Sequence, residues 1–232
     1  MNFRYLRPEW RGGARLRPVP PAPLIFDLDD TLIESFPTYA RLHQRVATEL
    51  GLAVPSREAL VAYGATWEAT LAALWPEADI DGFMRRYDEI ANDHPYPAIN
   101  GALAALQTLR AAGHSLWVVT KRSRRRLHDR MAQAGIPAGL FDGIFPAESQ
   151  PRTKPHPDCF APVWAAIGGM DRRAVYVGDR HEDRAAAEAA GIGFYAVLTG
   201  PEVTVGFPGD LGAHAIMASV AELPGRLART GG

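Results

Sequence analysis

The sequence predicts an α/β fold: a parallel sheet covered by helices on both faces, with a small all-α insert placed after the first strand. Three observations carry this expectation. From residue 23 onwards, short β-branched or aromatic runs alternate with Ala/Leu-rich stretches of helical period. Three of those helical stretches close on a glycine, as helices tend to end. Residues 29 to 113 separate the first strand from the second, far more than one crossover needs, and most of them read as helix.

In chain order, residues 1–22 form a basic, Pro-rich tail with five Arg against one Glu and no sustained period. The strands are "PLIFDL", "HSLWVVT", "DGIFP", "AVYVGD" and "GFYAVL". Between them lie the helices "NGALAALQTLRAAG", "SRRRLHDRMAQAG" and "HEDRAAAEAAG", stopped by Gly113, Gly135 and Gly191. The insert spans residues 35–96 and carries "FPTYARLHQRVATELG", "SREALVAYGATWEATLAALW" and "IDGFMRRYDEIAND"; it ends at "HPYPAING". The α/β core is therefore residues 23–34 and 97–232. Chemistry in such a fold collects at the carboxyl ends of the strands, and an insert planted there is placed to act as a lid.

At 232 residues, 47% apolar and 22% charged, the chain can bury a sizeable core. A formal charge of −1 gives no global basic field, so a nucleic-acid partner is not expected. No apolar run approaches the roughly 18 residues that cross a bilayer, so no membrane partner is expected either. A lone Cys159 excludes a disulfide framework and a cysteine-rich metal site. With no secretory segment in the sequence, a cytoplasmic location is expected.

The first strand stops on three aspartates within four positions, "DLDD". Asp27 ends the strand and Asp29 follows two places on, so both carboxylates can project towards one spot. Such a cluster is either a solvated loop or the seat of an oxygen-ligand divalent cation, for which Mg²⁺ is the best fit. The second strand brings Thr120 and the N–H groups behind it to the same end of the sheet, as a helix cap or an anion cradle. Lys154, ahead of a Pro-rich turn, is either a surface lysine or a counter-charge to a phosphate and a carboxylate. The fourth strand ends at Asp179, with Asp183 four residues later in the first turn of a helix. That pair suits a helix N-terminus or a metal ligand with a supporting acid.

Taken in order on successive strand ends, Asp27-Leu-Asp29-Asp-Thr31, Thr120 after "LWVV", Lys154 before Pro and Gly178-Asp179 with Asp183 resemble the four motifs of the haloacid dehalogenase-like hydrolase superfamily. The match covers about residues 23 to 222, on the phosphoglycolate phosphatase-like branch with a helical cap. The resemblance implies a Rossmann-like core and Mg²⁺-dependent hydrolysis of a small phosphorylated metabolite through an aspartyl phosphate. It implies Asp27 as nucleophile, Asp29 as general acid and base, and Thr120, Lys121 and Lys154 as the phosphate and substrate contacts. The metal would take the Asp27 carboxylate, the Asp29 backbone carbonyl and the Asp179 carboxylate, with Asp183 behind them. At Asp30 the superfamily more often has Gly, and the expectation there is backbone donors rather than a working carboxylate. Candidate readers of the leaving group on the insert are Arg41, His43, Tyr63, Trp67 and Arg86. The cations of "KRSRRR" read mostly as solvated helix surface. The alternatives are a phosphomutase of the same fold, against which Tyr39 stands where a mutase-like His would be, and a non-catalytic binding or signalling relative.

Overall fold

The computed structural model describes residues 21–62, 67–91, 93–201, 211 and 215–230. Helices and strands follow one another as β1 (Leu24–Phe26), α1 (Phe36–Glu49), α2 (Arg57–Val61), α3 (Trp67–Leu74), α4 (Ile80–Ala91), α5 (Ala102–Ala111), β2 (Leu116–Val119), α6 (Arg124–Gln133), β3 (Gly143–Phe145), α7 (Ala161–Ile167), β4 (Val175–Gly178), α8 (His181–Ala190), β5 (Gly193–Val197), β6 (Ile216–Met217) and α9 (Leu223–Thr230). The strands form one sheet in the order β3-β2-β1-β4-β5-β6, and every pairing is parallel. This is the α/β, Rossmann-like arrangement the sequence predicts, with β1 at its centre.

Parallel strands buried on both faces must be apolar on both, and alternate residues then serve opposite layers. Leu24 and Phe26 face a core built with Leu106 and Leu109 of α5, Leu127 and Met131 of α6, and Leu223 of α9. Ile25, between them, faces the other layer with Trp117, Tyr176, Phe160, Val163 of α7 and the Ala186, Ala187 and Ala190 stripe of α8. The alanines let α8 lie close to the sheet, which draws its first turn towards the ends of β1 and β4.

Four helices occupy the stretch between β1 and α5, with an apolar cluster of their own: Leu42, Val46, Leu71, Trp75, Phe83, Tyr87 and Ile90. Its two connections run side by side, since Glu34 N donates to Pro97 O at 2.8 Å and Ile99 N to Leu32 O at 2.9 Å, around an antiparallel bridge from Ile33 to Ala98. Over "SREALVAYGATWEATLAALW", α2 and α3 are the helices among the described residues; residues 63–66 between them lie outside those described. Arginines of α6 hold the insert to the core. Arg125 and Arg126 both pair with Asp88 of α4. Arg126 also lies 5.9 Å and 5.5 Å from the ring centroids of Trp67 and Tyr87, and buried Arg130 donates to Ala91 O at 3.2 Å. The expectation of a solvated arginine surface therefore fails for Arg126, which aromatic faces and a carboxylate on the insert take up, and holds for Arg125, whose side chain stays 63% exposed.

The tail expected over residues 1–22 lies, up to residue 20, outside the described residues. Three elements had no counterpart in the sequence reading: β6, α7 and α9. Among the described residues no helix is long and apolar enough to cross a membrane.

Candidate active site

The strand order reverses between β1 and β4, and the crevice beyond their carboxyl ends is where an open α/β sheet holds its ligand. Asp27 follows β1 and Asp179 follows β4, with Asp27 N bonded to Val177 O at 2.9 Å, so the two acids leave adjacent strands side by side. Asp183 in the first turn of α8 completes a group in which one carboxylate oxygen from each of Asp27, Asp179 and Asp183 lies within 4.8 Å of the others. All three residues are buried.

Lys154 is what lets these anions coexist. Its Nζ sits 2.8 Å from Asp27 Oδ1 and 2.6 Å from Asp183 Oδ1, with its side chain only 2% exposed. Burial works against the ammonium charge, but the two carboxylates outweigh it and hold the lysine pKa above its ordinary value. Asp183 is fully engaged. Its Oδ2 accepts from the N–H groups of Asp179 and Arg180 at 3.1 and 2.9 Å, and its Oδ1 also lies 3.2 Å from Tyr176 Oη. A Cβ at Gly178 would overlap this carboxylate, which is why the strand ends on glycine.

Asp27 is pushed up to about 7, first by burial, with Lys154 pulling the other way. Burial also raises Asp179 well above the usual carboxylate range, aided by Asp183. Asp179 Oδ1 accepts from Thr31 Oγ1 at 3.2 Å, whereas its Oδ2 is buried with no hydrogen-bond partner among the described residues. A Cβ at Gly200 would overlap that same carboxylate.

Thr120 follows β2, buried, and its Oγ1 accepts from Arg122 N at 3.1 Å while Gln150 Nε2 donates to its carbonyl at 2.7 Å. Lys121 is paired with Glu182 of α8 at 3.0 Å. Asp29 stands apart from the carboxylate cluster. Both of its oxygens are gripped by the Arg122 guanidinium, with Nε 2.9 Å from Oδ2 and 3.2 Å from Oδ1, and Nη2 on Oδ1. Burial would raise Asp29, but Arg122 outweighs it and holds the carboxyl below the usual range. The carboxylate of Asp30, expected to be idle, is used: its Oδ1 accepts from Ser35 N and Phe36 N, both at 2.9 Å, closing the N-terminus of α1. Burial lifts its pKa to about 6.

Asp27, Lys154, Asp179 and Asp183 thus meet at one spot, with Thr120, Asp29 and Lys121 on the loops around it. Of the insert candidates, His43 is buried and hydrogen-bonded inside the insert, and Trp67 is its partner there at 2.9 Å. Arg86 pairs with Glu49 and Glu89, and Arg41 with Thr38. Tyr63 lies outside the described residues. The sequence reading missed Arg122 and Tyr176. One is a cation in a run of cations and the other an aromatic in a buried strand, so neither carried a signal of its own.

The model of the haloacid dehalogenase-like hydrolases matches residues 24–197, from β1 through β5 and all four strand-end motifs. The chain belongs to that family. Among curated proteins, this hydrolase is 31% identical over 220 residues to a phosphoglycolate phosphatase of Cereibacter sphaeroides, covering 87% of this chain and 95% of the relative. A phosphoglycolate phosphatase of Chromobacterium violaceum is 30% identical over 85% of this chain and 92% of its own. Among solved structures, a HAD family hydrolase from Deinococcus radiodurans, crystallised with bound phosphate and sodium, superimposes with a TM-score of 0.71 at 28% identity. That likeness covers 91% of this hydrolase and 97% of the other chain.

Proposed function

We propose that this hydrolase is a Mg²⁺-dependent phosphatase that cleaves a small phosphate monoester through an aspartyl phosphate on Asp27. Phosphoglycolate, named in the curated relatives, is the first candidate. The observation that carries this reading is the buried Asp27 carboxylate, salt-bridged to Lys154 at the switch point of the sheet. A carboxylate can approach a phosphate dianion only where cations and N–H donors offset the charge. The phosphate bound in the Deinococcus radiodurans relative is consistent with this.

The residues fit a hard divalent cation. Three buried carboxylates supply oxygen donors, and Asp179 Oδ2 has no partner of its own, a costly state for a buried acceptor. Asp27 and Asp179 would hold the ion by their carboxylates and Asp29 by its backbone carbonyl, with Asp183 fixing the loop from behind. Bound there, Mg²⁺ would supply positive charge against the phosphate.

The protein's own groups divide the work as follows. Asp27 attacks phosphorus as the ester bond breaks; Asp29, ionised in its pair with Arg122, takes up a solvent proton on leaving that pair and passes it to the departing oxygen. Thr120 and Lys154 hold the phosphate oxygens, with Lys121 beside them. Asp29 then takes a proton from water as that water attacks the phosphorus of the aspartyl phosphate, releasing phosphate and restoring Asp27. Residues 35–96 form the cap that excludes bulk water during the first step. The test is phosphate release from phosphoglycolate and p-nitrophenyl phosphate with Mg²⁺, with a chelator, and with Asp27→Asn. Turnover should require the metal and fall about a thousandfold or more in the variant. Undiminished activity in chelator, or more than a tenth of it in Asp27→Asn, would contradict the assignment.

A further inference from the structure

Of the cations around the site, Lys154 is fixed between Asp27 and Asp183, and Lys121 is bound to Glu182. Nothing in the reaction requires Glu182 or Asp183 to leave those pairs. Arg122 is in a different position. Its Nε and Nη2 donors are spent on Asp29, the one carboxylate that has to turn to the leaving oxygen. The guanidinium cannot readily follow. Its side chain is 17% exposed, its backbone N–H is bonded to Thr120 Oγ1, and it stacks 5.5 Å from the ring centroid of Tyr96, near the far end of the insert. When Asp29 turns away, a half-buried guanidinium is left with unsatisfied donors in a fixed plane, at a cost that a second planar anion would remove.

We propose that Arg122 is a specificity-determining residue of this hydrolase, receiving a carboxylate on the leaving group in the place that Asp29 gives up, beside whatever the insert contributes. The inference rests on the phosphatase reading above, since it needs Asp29 to serve the leaving oxygen. A group that touches the Asp29 carboxylate in its resting position lies within one side-chain swing of the departing oxygen. A carboxylate on the carbon that bears that oxygen is therefore the anion placed to meet Arg122. The substrate class is accordingly phosphate esters of 2-hydroxy acids. A lysine would supply the charge but not the two parallel N–H donors that match a carboxylate.

The test compares phosphoglycolate with ethyl phosphate, which has a methyl group where the first has a carboxylate, on the wild type, Arg122→Gln and Arg122→Lys. The preference for phosphoglycolate, as a ratio of kcat/KM values, should fall at least tenfold in Arg122→Gln, mainly through a higher KM for phosphoglycolate. Arg122→Lys should lie between, and it keeps the comparison readable if glutamine disturbs the fold. Calorimetric binding of the two esters in an Asp27→Asn background, with and without Arg122→Gln, gives the same ratio without turnover. A ratio unchanged in both measurements, or equal losses for both esters, would overturn the role of Arg122. Absence of phosphate release from either ester by the wild type would instead strike the phosphatase reading, and the binding ratio would still decide whether Arg122 reads a carboxylate.

Discussion

Inside the insert, His43 Nδ1 lies 2.7 Å from Tyr39 O and its Nε2 lies 2.9 Å from Trp67 Nε1. A carbonyl only accepts and an indole N–H only donates, so the ring is neutral with its proton on Nδ1. Burial lowers its pKa from 6.5 to about 4. Between those values the unfolded chain binds a proton that the folded one refuses. This contribution to stability is therefore complete above about pH 6.5 and is lost as pH falls towards 4, at about 1.4 kcal/mol per pH unit. Urea unfolding of the wild type should thus lose about 2 kcal/mol more than His43→Gln between pH 6.5 and pH 4.5. Equal losses in the two proteins would show that His43 is not held neutral. The same residue marks a limit of sequence reading. Strand-final aspartates were legible because an acid behind a buried apolar run needs a reason, whereas a histidine on an amphipathic helix looks alike as ligand reader and as core.

For α1, the decisive residue lies outside the helix. Asp30 adopts φ +56°, the left-handed region, and its carboxylate takes the N–H groups of Ser35 and Phe36. Glycine, more frequent in the superfamily here, relieves the backbone but cannot cap; aspartate tolerates the backbone and caps as well. Asp30→Ala should lose both advantages, about 2 kcal/mol in urea unfolding, from about 1 for the cap and about 1 for the strain. Asp30→Gly should lose less than Asp30→Ala, because it keeps the backbone freedom. An alanine variant as stable as the wild type would remove the capping role. Legible elements were those whose pattern repeats: β1 to β5 are short apolar runs closed by polar or turn residues, and α5, α6 and α8 stop at glycines. The two-residue β6 is too short to show a period, and α7 and α9 follow no strand-to-helix alternation strong enough to stand out. Arg126 of α6 was misjudged because a side chain that packs on Trp67, Tyr87 and Asp88 looks, in sequence, like one that packs on water.

For the molecule as a whole, the sheet order brings four motif loops from distant parts of the chain to one crevice, and the insert leaves and rejoins the core through two adjacent connections. Replacing residues 38–93 by a short linker should keep slow Mg²⁺-dependent hydrolysis of p-nitrophenyl phosphate and weaken the preference among natural esters. A soluble, folded variant with its preference intact would make the insert purely structural. The central claim is that Asp27 carries the phosphoryl group. It is tested most directly in Asp29→Asn, in which the nucleophile remains but the proton carrier is lost. Mixed with p-nitrophenyl phosphate and Mg²⁺, quenched and trapped with borohydride, this variant should yield a peptide reduced at position 27 by mass spectrometry. Its absence at every quench time, or modification of another residue instead, would contradict the account.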